Sequence, residues 1–387
     1  MALPITYNIR NVFVRWRATL ATILGVALVV SVYVLMEAMA AGLEKSSANT
    51  GDPRNLMIVR KGSTAESSSQ VNREQYKMIA YLPGVATDAA RHPIVSADVV
   101  VLISLPRRTG QGEANVNLRG VSTMGKELRP QVSLVAGRWF TPGKREVIAS
   151  RRLAKRFANL DIGDKFKTGG RELTVVGITD GQNSAFDSEI WMDADEARAI
   201  FDRDNYSSVL VRLDGPDAEK TVTDRIESDK RLPLRGILET KYYAEQTKTA
   251  LPIRVLGKFL AYSMSIGAVF AAMNTMYASV GSRTREIGTL RVLGYRRRSI
   301  LSGFLIEGAM LALIGGILGC LVSLPMQGYS AGTMSMDSFS ETVFQFRITP
   351  MIAAKGLLFS VIVGVLGSLL PALRASRLPV IAALKSV

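Results

Sequence analysis

The chain has 387 residues, 48% of them hydrophobic, with 48 Lys/Arg against 33 Asp/Glu. Its single cysteine, Cys320, excludes an internal disulfide framework, a Cys-based zinc site or an iron–sulfur cluster within one copy, and the apolar run around it reads the thiol as a small core hydrophobe. The net charge of +15 is uneven: Leu43 to Arg254 carries 33 basic and 28 acidic residues and the rest of the chain 15 and 5, so the excess flanks apolar runs and signals membrane topology, not a nucleic-acid face.

Residues 1–17, with Arg10, Arg15 and Arg17, read as a cytoplasmic N-terminus. Ala18 to Ala41 is apolar for long enough to cross about 30 Å of hydrocarbon, which takes about 20 residues. Ala38-Met39-Ala40 imitates a signal cleavage site, but the preceding run is longer than the roughly 7 to 15 residues of a signal h-region.

Residues 42–255 read as an extracytoplasmic, mixed α/β domain. Short β-branched runs at 56–59, 99–103, 173–176 and 209–211 predict strands. Helical spacing covers Asn72 to Leu82 and Asp217 to Ser228, and Asp193 to Glu196 resembles a capping box opening a helix to Phe201. That helix start outweighs a metal site at Asp193, Asp195 and Glu196, and Asp161 and Asp164 read as turn residues around Gly163.

No enzyme constellation is visible. The only histidine, His92, precedes Pro93 and reads as a surface or turn residue, and there is no G-x-S-x-G. Between Gly137 and Gly143-Lys144 lie five residues where a Walker A loop has four, and Arg145 stands where Ser/Thr would hold magnesium. The sequence therefore predicts no catalytic, cofactor or metal site and no ATPase motif of its own. Ser46 to Asp52 and Ser63 to Ser69 read as polar joints, whereas Lys241 to Arg254 carries helical composition into the next span, with Pro252 as a kink.

Three more spans follow at 256–279, 300–324 and 352–370, with Lys258 and Lys355 near enough to span ends to snorkel. Six arginines crowd the 280–299 loop, three basic residues follow the last span, and Arg347 alone lies in the 325–351 loop. The basic-residue rule then puts both termini (including 371–387) and the 280–299 loop in the cytoplasm. The fold class is an α-helical membrane protein: four transmembrane helices with a large mixed α/β extracytoplasmic domain between helices 1 and 2. Glu307 in the third span is expected to face protein, a polar crevice or the cytoplasmic interface. Gly315 and Gly319 form a G-x-x-x-G that permits close helix approach.

Within the 280–299 loop, Ile287, Leu290, Val292 and Leu293 approximate one helical face and Gly294 supplies a stop. Such a basic amphipathic helix can lie on anionic lipid or dock on a partner. Arg285-Glu-Ile-Gly-Thr-Leu-Arg-Val-Leu-Gly294, followed by Phe304-Leu-Ile-Glu307 and a Gly-rich span, resembles the signature region of MacB/FtsX-type ABC permeases. The start (Asn8-Ile-Arg, Thr19 to Gly25), Gly137-Arg-Trp-Phe140, Glu146 to Ser150 and the ending from Pro371 to Leu384 are also similar to that family.

The resemblance implies a permease in the bacterial inner membrane, multi-pass, paired with a second permease copy, either identical or a paralogue. Each copy would dock on a cytoplasmic ABC ATPase dimer, which binds the ATP. Glu286, Ile287, Leu290, Arg291 and Leu293 would sit in the ATPase groove. A separate ATPase chain would align the protein with lipoprotein-releasing or glycolipid-export relatives, with a periplasmic adaptor as a further partner and no nucleic acid. Outer-domain movement would then export or extract an amphiphile. The alternative is an FtsX-like, non-transporting signal transmitter that controls a cell-wall hydrolase.

Overall fold

The protein was studied as a computed structural model that describes residues 16–110, 112–246, 251–334 and 339–379. The chain forms two units: residues 1–41, 252–329 and 346–387, and residues 42–251 and 330–345. Helix α1, Trp16–Ala48, runs for 33 residues. At 1.5 Å per residue it is about 50 Å long, more than a bilayer core needs. Its last turns, from Gly42, accordingly belong to the second unit.

That second unit is built on a ten-stranded mixed sheet in the order β10-β1-β9-β2-β3-β8-β5-β7-β4, with β6 paired to β7. The strands are β1 (Asn55–Arg60), β2 (Val95–Pro106), β3 (Glu113–Val121), β4 (Ser133–Gly137), β5 (Glu146–Ser150), β6 (Lys165–Thr168), β7 (Arg171–Asp180), β8 (Glu189–Asp193), β9 (Ser208–Arg212) and β10 (Leu234–Leu238). The four β-branched runs in the sequence lie in β1, β2, β7 and β9. Of the other strands, β3 escapes a search for such runs because it carries residues that disfavour strands, Asn115, Asn117 and Gly120. Pairing decides it: β3 runs antiparallel to β2 over eight residue pairs and parallel to β8.

Short helices α2 (Arg73–Ala80), α3 (Arg151–Arg156), α4 (Ala194–Ile200), α5 (Ala218–Ser228) and α6 (Glu239–Gln246) lie between the strands or follow them. Asn72 and Gln75 close a reciprocal capping box on α2. At α4 the Asp193 side chain accepts the Asp195 and Glu196 N–H groups, but Glu196 does not complete a box. Its carboxylate instead accepts the Arg145 N–H at 2.8 Å. The core collects Leu56, Ile58, Val99, Val101, Leu118, Val209 and Val211, all buried. Each such side chain contributes about 1.5–3 kcal/mol on leaving water.

Beyond α6 come α7 (Leu251–Ser282), α8 (Thr284–Val292), α9 (Arg297–Ser323) and α10 (Pro350–Ser376). α1, α7, α9 and α10 are long and apolar enough to cross a membrane, and each overruns at one or both ends the span read from hydropathy. The helix expected from Lys241 to Arg254 is seen in α6 and from Leu251 onward; residues 247–250 lie outside the described residues. The segment 325–351, which has no strand in the sequence reading, holds an antiparallel hairpin, β11 (Ser330–Met334) with β12 (Glu341–Gln345). β12 joins the sheet unit: Val343 is fully buried in its core, and Glu341 pairs with Arg107 and Arg156.

Candidate functional site

α8 is a short helix whose ends are set by local chemistry. Arg283 breaks the helical run after α7 with φ −112° and ψ 13°. At the other end Gly294 adopts φ +90°, its N–H reaches the Arg291 carbonyl, and the Tyr295 N–H reaches the Leu290 carbonyl. This pair of bonds is a Schellman stop, and it needs the left-handed conformation that glycine supplies without strain.

The side chains of α8 divide between two faces. Ile287, 2% exposed, packs with Met276 and Val280 of α7, Ile300 and Phe304 of α9, and Ala372 and Ala375 of α10. Leu290 is half-buried. Arg291 is half-buried and donates to the Tyr295 carbonyl at 3.3 Å. Outward stand Arg285, Glu286, Thr289, Val292 and Leu293, the last two 62% and 68% exposed.

Ile287 is therefore a correction to the docking ridge expected from sequence, because its side chain is spent on the protein's own core. The reason is angular. At 100° per residue Ile287 and Val292 point about 140° apart, so Ile287, Leu290, Val292 and Leu293 cannot share one stripe.

Behind α8 lies a buried ion pair. The Arg283 guanidinium donates to Glu307 Oε2 at 2.9 Å, with both side chains under 8% exposed, and stands 5.7 Å from the Phe304 ring centroid. Glu307, on α9, thus faces protein. The sequence reading flagged Glu307 alone; Arg283 looked like one of six loop arginines, and only the packing of α8 against α9 separates it from the others.

Comparison with known proteins identifies what this arrangement belongs to. Residues 18–229 match the MacB-like periplasmic core domain and residues 258–380 the FtsX-like permease C-terminal domain. The chain belongs to the MacB/FtsX-type ABC permease family.

Among its relatives, the macrolide export ATP-binding/permease protein MacB of Hahella chejuensis is 27% identical over 370 residues, covering 85% of this chain and 55% of that one. An uncharacterized ABC transporter permease, YknZ of Bacillus subtilis, is 26% identical and covers 73% of each chain. The permease thus spans about half the length of the MacB relatives it matches. The periplasmic region of MacB from Actinobacillus actinomycetemcomitans aligns at 14% identity over 53% of this chain and 94% of that one, with a TM-score of 0.38.

In this permease the apolar helices meet through small residues. A Cβ at Gly315 would lie 2.8 Å from the Ile23 carbonyl oxygen, and one at Gly319 2.6 Å from that of Ala27. The G-x-x-x-G face of α9 therefore rests on the α1 backbone. Beside that face, α9 meets α10 through two further glycines: Gly308 meets Ser368 and Gly364 of α10, and Gly316 meets Ser360. Hydroxyl pairs add to the contacts, Thr22 to Thr275 at 2.9 Å and Ser31 to Ser323 at 3.2 Å.

The outer unit contains a charge cluster that no local signal announced. Arg119 is bonded to Glu66 and Glu189, each through two hydrogen bonds, and also to Asp98. Arg129 bridges Asp98 and Glu239. All six side chains are buried, and such charges persist inside a fold only when paired and hydrogen-bonded. Burial pushes Glu239 above the ordinary carboxylate range despite Arg129 beside it. Burial acts the same way on Glu66, but the Arg119 charge and hydrogen bonds outweigh it and hold Glu66 below that range.

Glu239 Oε2 also accepts the Asp52 N–H at 3.0 Å and Asn55 Nδ2 at 2.7 Å. One carboxylate thus ties the chain leaving α1 to the start of α6. His92 is exposed beside Asp88, and no group of metal-binding side chains occurs among the described residues.

Proposed function

We propose that this permease couples ATP hydrolysis by a cytoplasmic ABC ATPase dimer to movement of its extracytoplasmic domain, and that this movement exports or extracts an amphiphilic substrate. The observation that carries the reading is the two-faced α8. Its inner face is fixed to the membrane helices by Ile287 and by Arg283–Glu307, while Val292 and Leu293 are exposed, as is Glu286, whose carboxylate lies 3.8 Å from the Arg283 guanidinium. A rigidly mounted helix with an apolar, charge-flanked outer face suits docking in a partner groove. Leu290 and Arg291 sit at its margin.

The ATPase is a separate polypeptide in this reading, supported by the match to YknZ, which is named as a permease alone. The MacB relatives are named as joint ATP-binding/permease proteins. A second permease copy and a periplasmic adaptor complete the assembly. The protein lies in the bacterial inner membrane with both termini inside, a placement supported by the arginine-rich 280–299 loop.

Two measurements test the proposal. Leu293→Asp and Leu290→Asp place a charge on the docking face; both should insert normally, and Leu293→Asp, the more exposed site, should lose more ATPase on co-purification. Equal ATPase recovery with wild type would remove the docking role. In a Cys320→Ser background, impermeant reagent should label Ser67→Cys but not Ser282→Cys in intact cells. Outside labelling at position 282 would invert the topology.

A further inference from the structure

Three stretches of chain leave the sheet unit toward the apolar helices, and all three touch one short segment, residues 181–188. From the end of α1, Thr50 Oγ1 accepts the Ala185 N–H at 2.7 Å and in turn donates to the Ser46 carbonyl at 2.7 Å. Asn49 Nδ2 donates to the Gln182 carbonyl at 3.1 Å. From α6, which precedes α7, Tyr243 meets the Phe186 ring edge-on at 5.7 Å. From the hairpin joining α9 to α10, the Val343 N–H donates to Ser188 Oγ at 2.7 Å.

The segment is held in a form it would not adopt alone. Gln182 and Asn183 both have positive φ, 52° and 62°, in the left-handed region that side chains other than glycine enter at a cost. Two carboxylates hold them there: Asp180 accepts the Gln182 N–H at 2.9 Å, and Asp187 accepts the Gly181 N–H at 2.7 Å and the Asn183 N–H at 3.0 Å. Asp187 is itself buried and paired with Arg152 at 3.4 Å. Phe186, at the centre, packs on Trp191 and faces the guanidinium groups of Arg119 and Arg129, so the segment sits on the buried charge cluster.

The geometry points to residues 181–188 as the junction through which the chain ends of α1, α6 and the β11–β12 hairpin move together, with Thr50 and Ser188 as its positioning residues. The inference rests on the coupling role proposed above and names where, inside the outer unit, that coupling is made. A segment strained in isolation and fastened to separate inputs by three hydrogen bonds and one ring contact would engage and release as a unit, which a set of independent packing contacts would not.

Hydrogen exchange on the full chain in lipid nanodiscs tests this without nucleotide or ATPase. Thr50→Val removes the acceptor of the Ala185 amide and, on the α1 side, the donor to the Ser46 carbonyl, but touches no contact of Val343. Release of the junction should nevertheless speed exchange at least about tenfold at both Ala185 and Val343, the latter on the opposite input. Thr50→Ser, which keeps the hydroxyl, should match wild type. Ser188→Ala tests the reverse direction, from Val343 to Ala185, and stands in should Thr50→Val fold poorly. Acceleration confined to the amide whose acceptor was removed, in either variant, would overturn the junction while leaving ATPase docking, read separately through Leu293→Asp, untouched.

Discussion

Removing the guanidinium of Arg283 tests whether α8 is rigidly mounted. In Arg283→Met the methionine fills most of the space beside Phe304, but the Glu307 carboxylate, only 7% exposed, loses its partner at 2.9 Å. Breaking a buried pair from one side costs about 3–5 kcal/mol, because the remaining charge is left desolvated. That is a large share of the roughly 5–15 kcal/mol that holds a domain together. Replacing both partners, Arg283→Met with Glu307→Leu, removes the charge as well and should fall within about 1–2 kcal/mol of wild type.

The cycle therefore predicts a coupling energy of at least about 2 kcal/mol, since additivity fails for groups in direct contact. The assay is equilibrium unfolding of wild type, both single variants and the double variant in one detergent, with α8 mounting followed by protease sensitivity of the Arg285 to Arg298 segment. Single variants should expose that segment, and the double variant should protect it again. A coupling below about 0.5 kcal/mol, or a double variant as labile as Arg283→Met, would refute the idea that the pair fixes α8.

Other consequences are more local. Ile287→Asp buries a charge among Met276, Phe304 and Ala375 and should lower the yield of folded protein in the membrane, whereas Leu293→Asp should not; equal yields would contradict the two-faced helix. Gly319→Leu drives a side chain into the Ala27 carbonyl, 2.6 Å from the Cβ position, and should cost about 1–3 kcal/mol in thermal stability. Gly25→Ala, with nothing within 4 Å, should be tolerated.

Because burial raises Glu239 in the folded state, native protein takes up this proton before unfolded protein does. Its effect on stability is adverse above the raised folded value and fades as pH falls toward about 4.3. The stability of Glu239→Gln relative to wild type should thus fall between pH 7.5 and pH 4, and a constant difference would refute the assignment. Glu146, drawn down to about 2 by the Arg138 hydrogen bonds, acts oppositely. Its support is present above about 4.3 and is lost as pH falls toward 2, so Glu146→Gln should flatten the acid limb of the stability curve.

The sequence alone determined the features that belong to contiguous residues. An apolar run either is or is not long enough to span hydrocarbon, so α1, α7, α9 and α10 are legible from composition and length. Asp193 and Gly294 declare a helix start and stop because the groups they satisfy lie within a few residues. The motif at 285–294 marked where the candidate site is.

Which way its side chains face was not legible. Arg283 finds Glu307 from 24 residues away, and Ile287 points inward because α7, α9 and α10 surround it. In the sheet unit, Arg119 joins Glu66 and Glu189 across 53 and 70 residues, and a polar-looking loop between two spans becomes a hairpin with Val343 in the core. Burial, charge pairing and the choice of helix face depend on neighbours distant in the chain. Only the tertiary structure brings them within the few ångströms over which hydrogen bonds and close packing act.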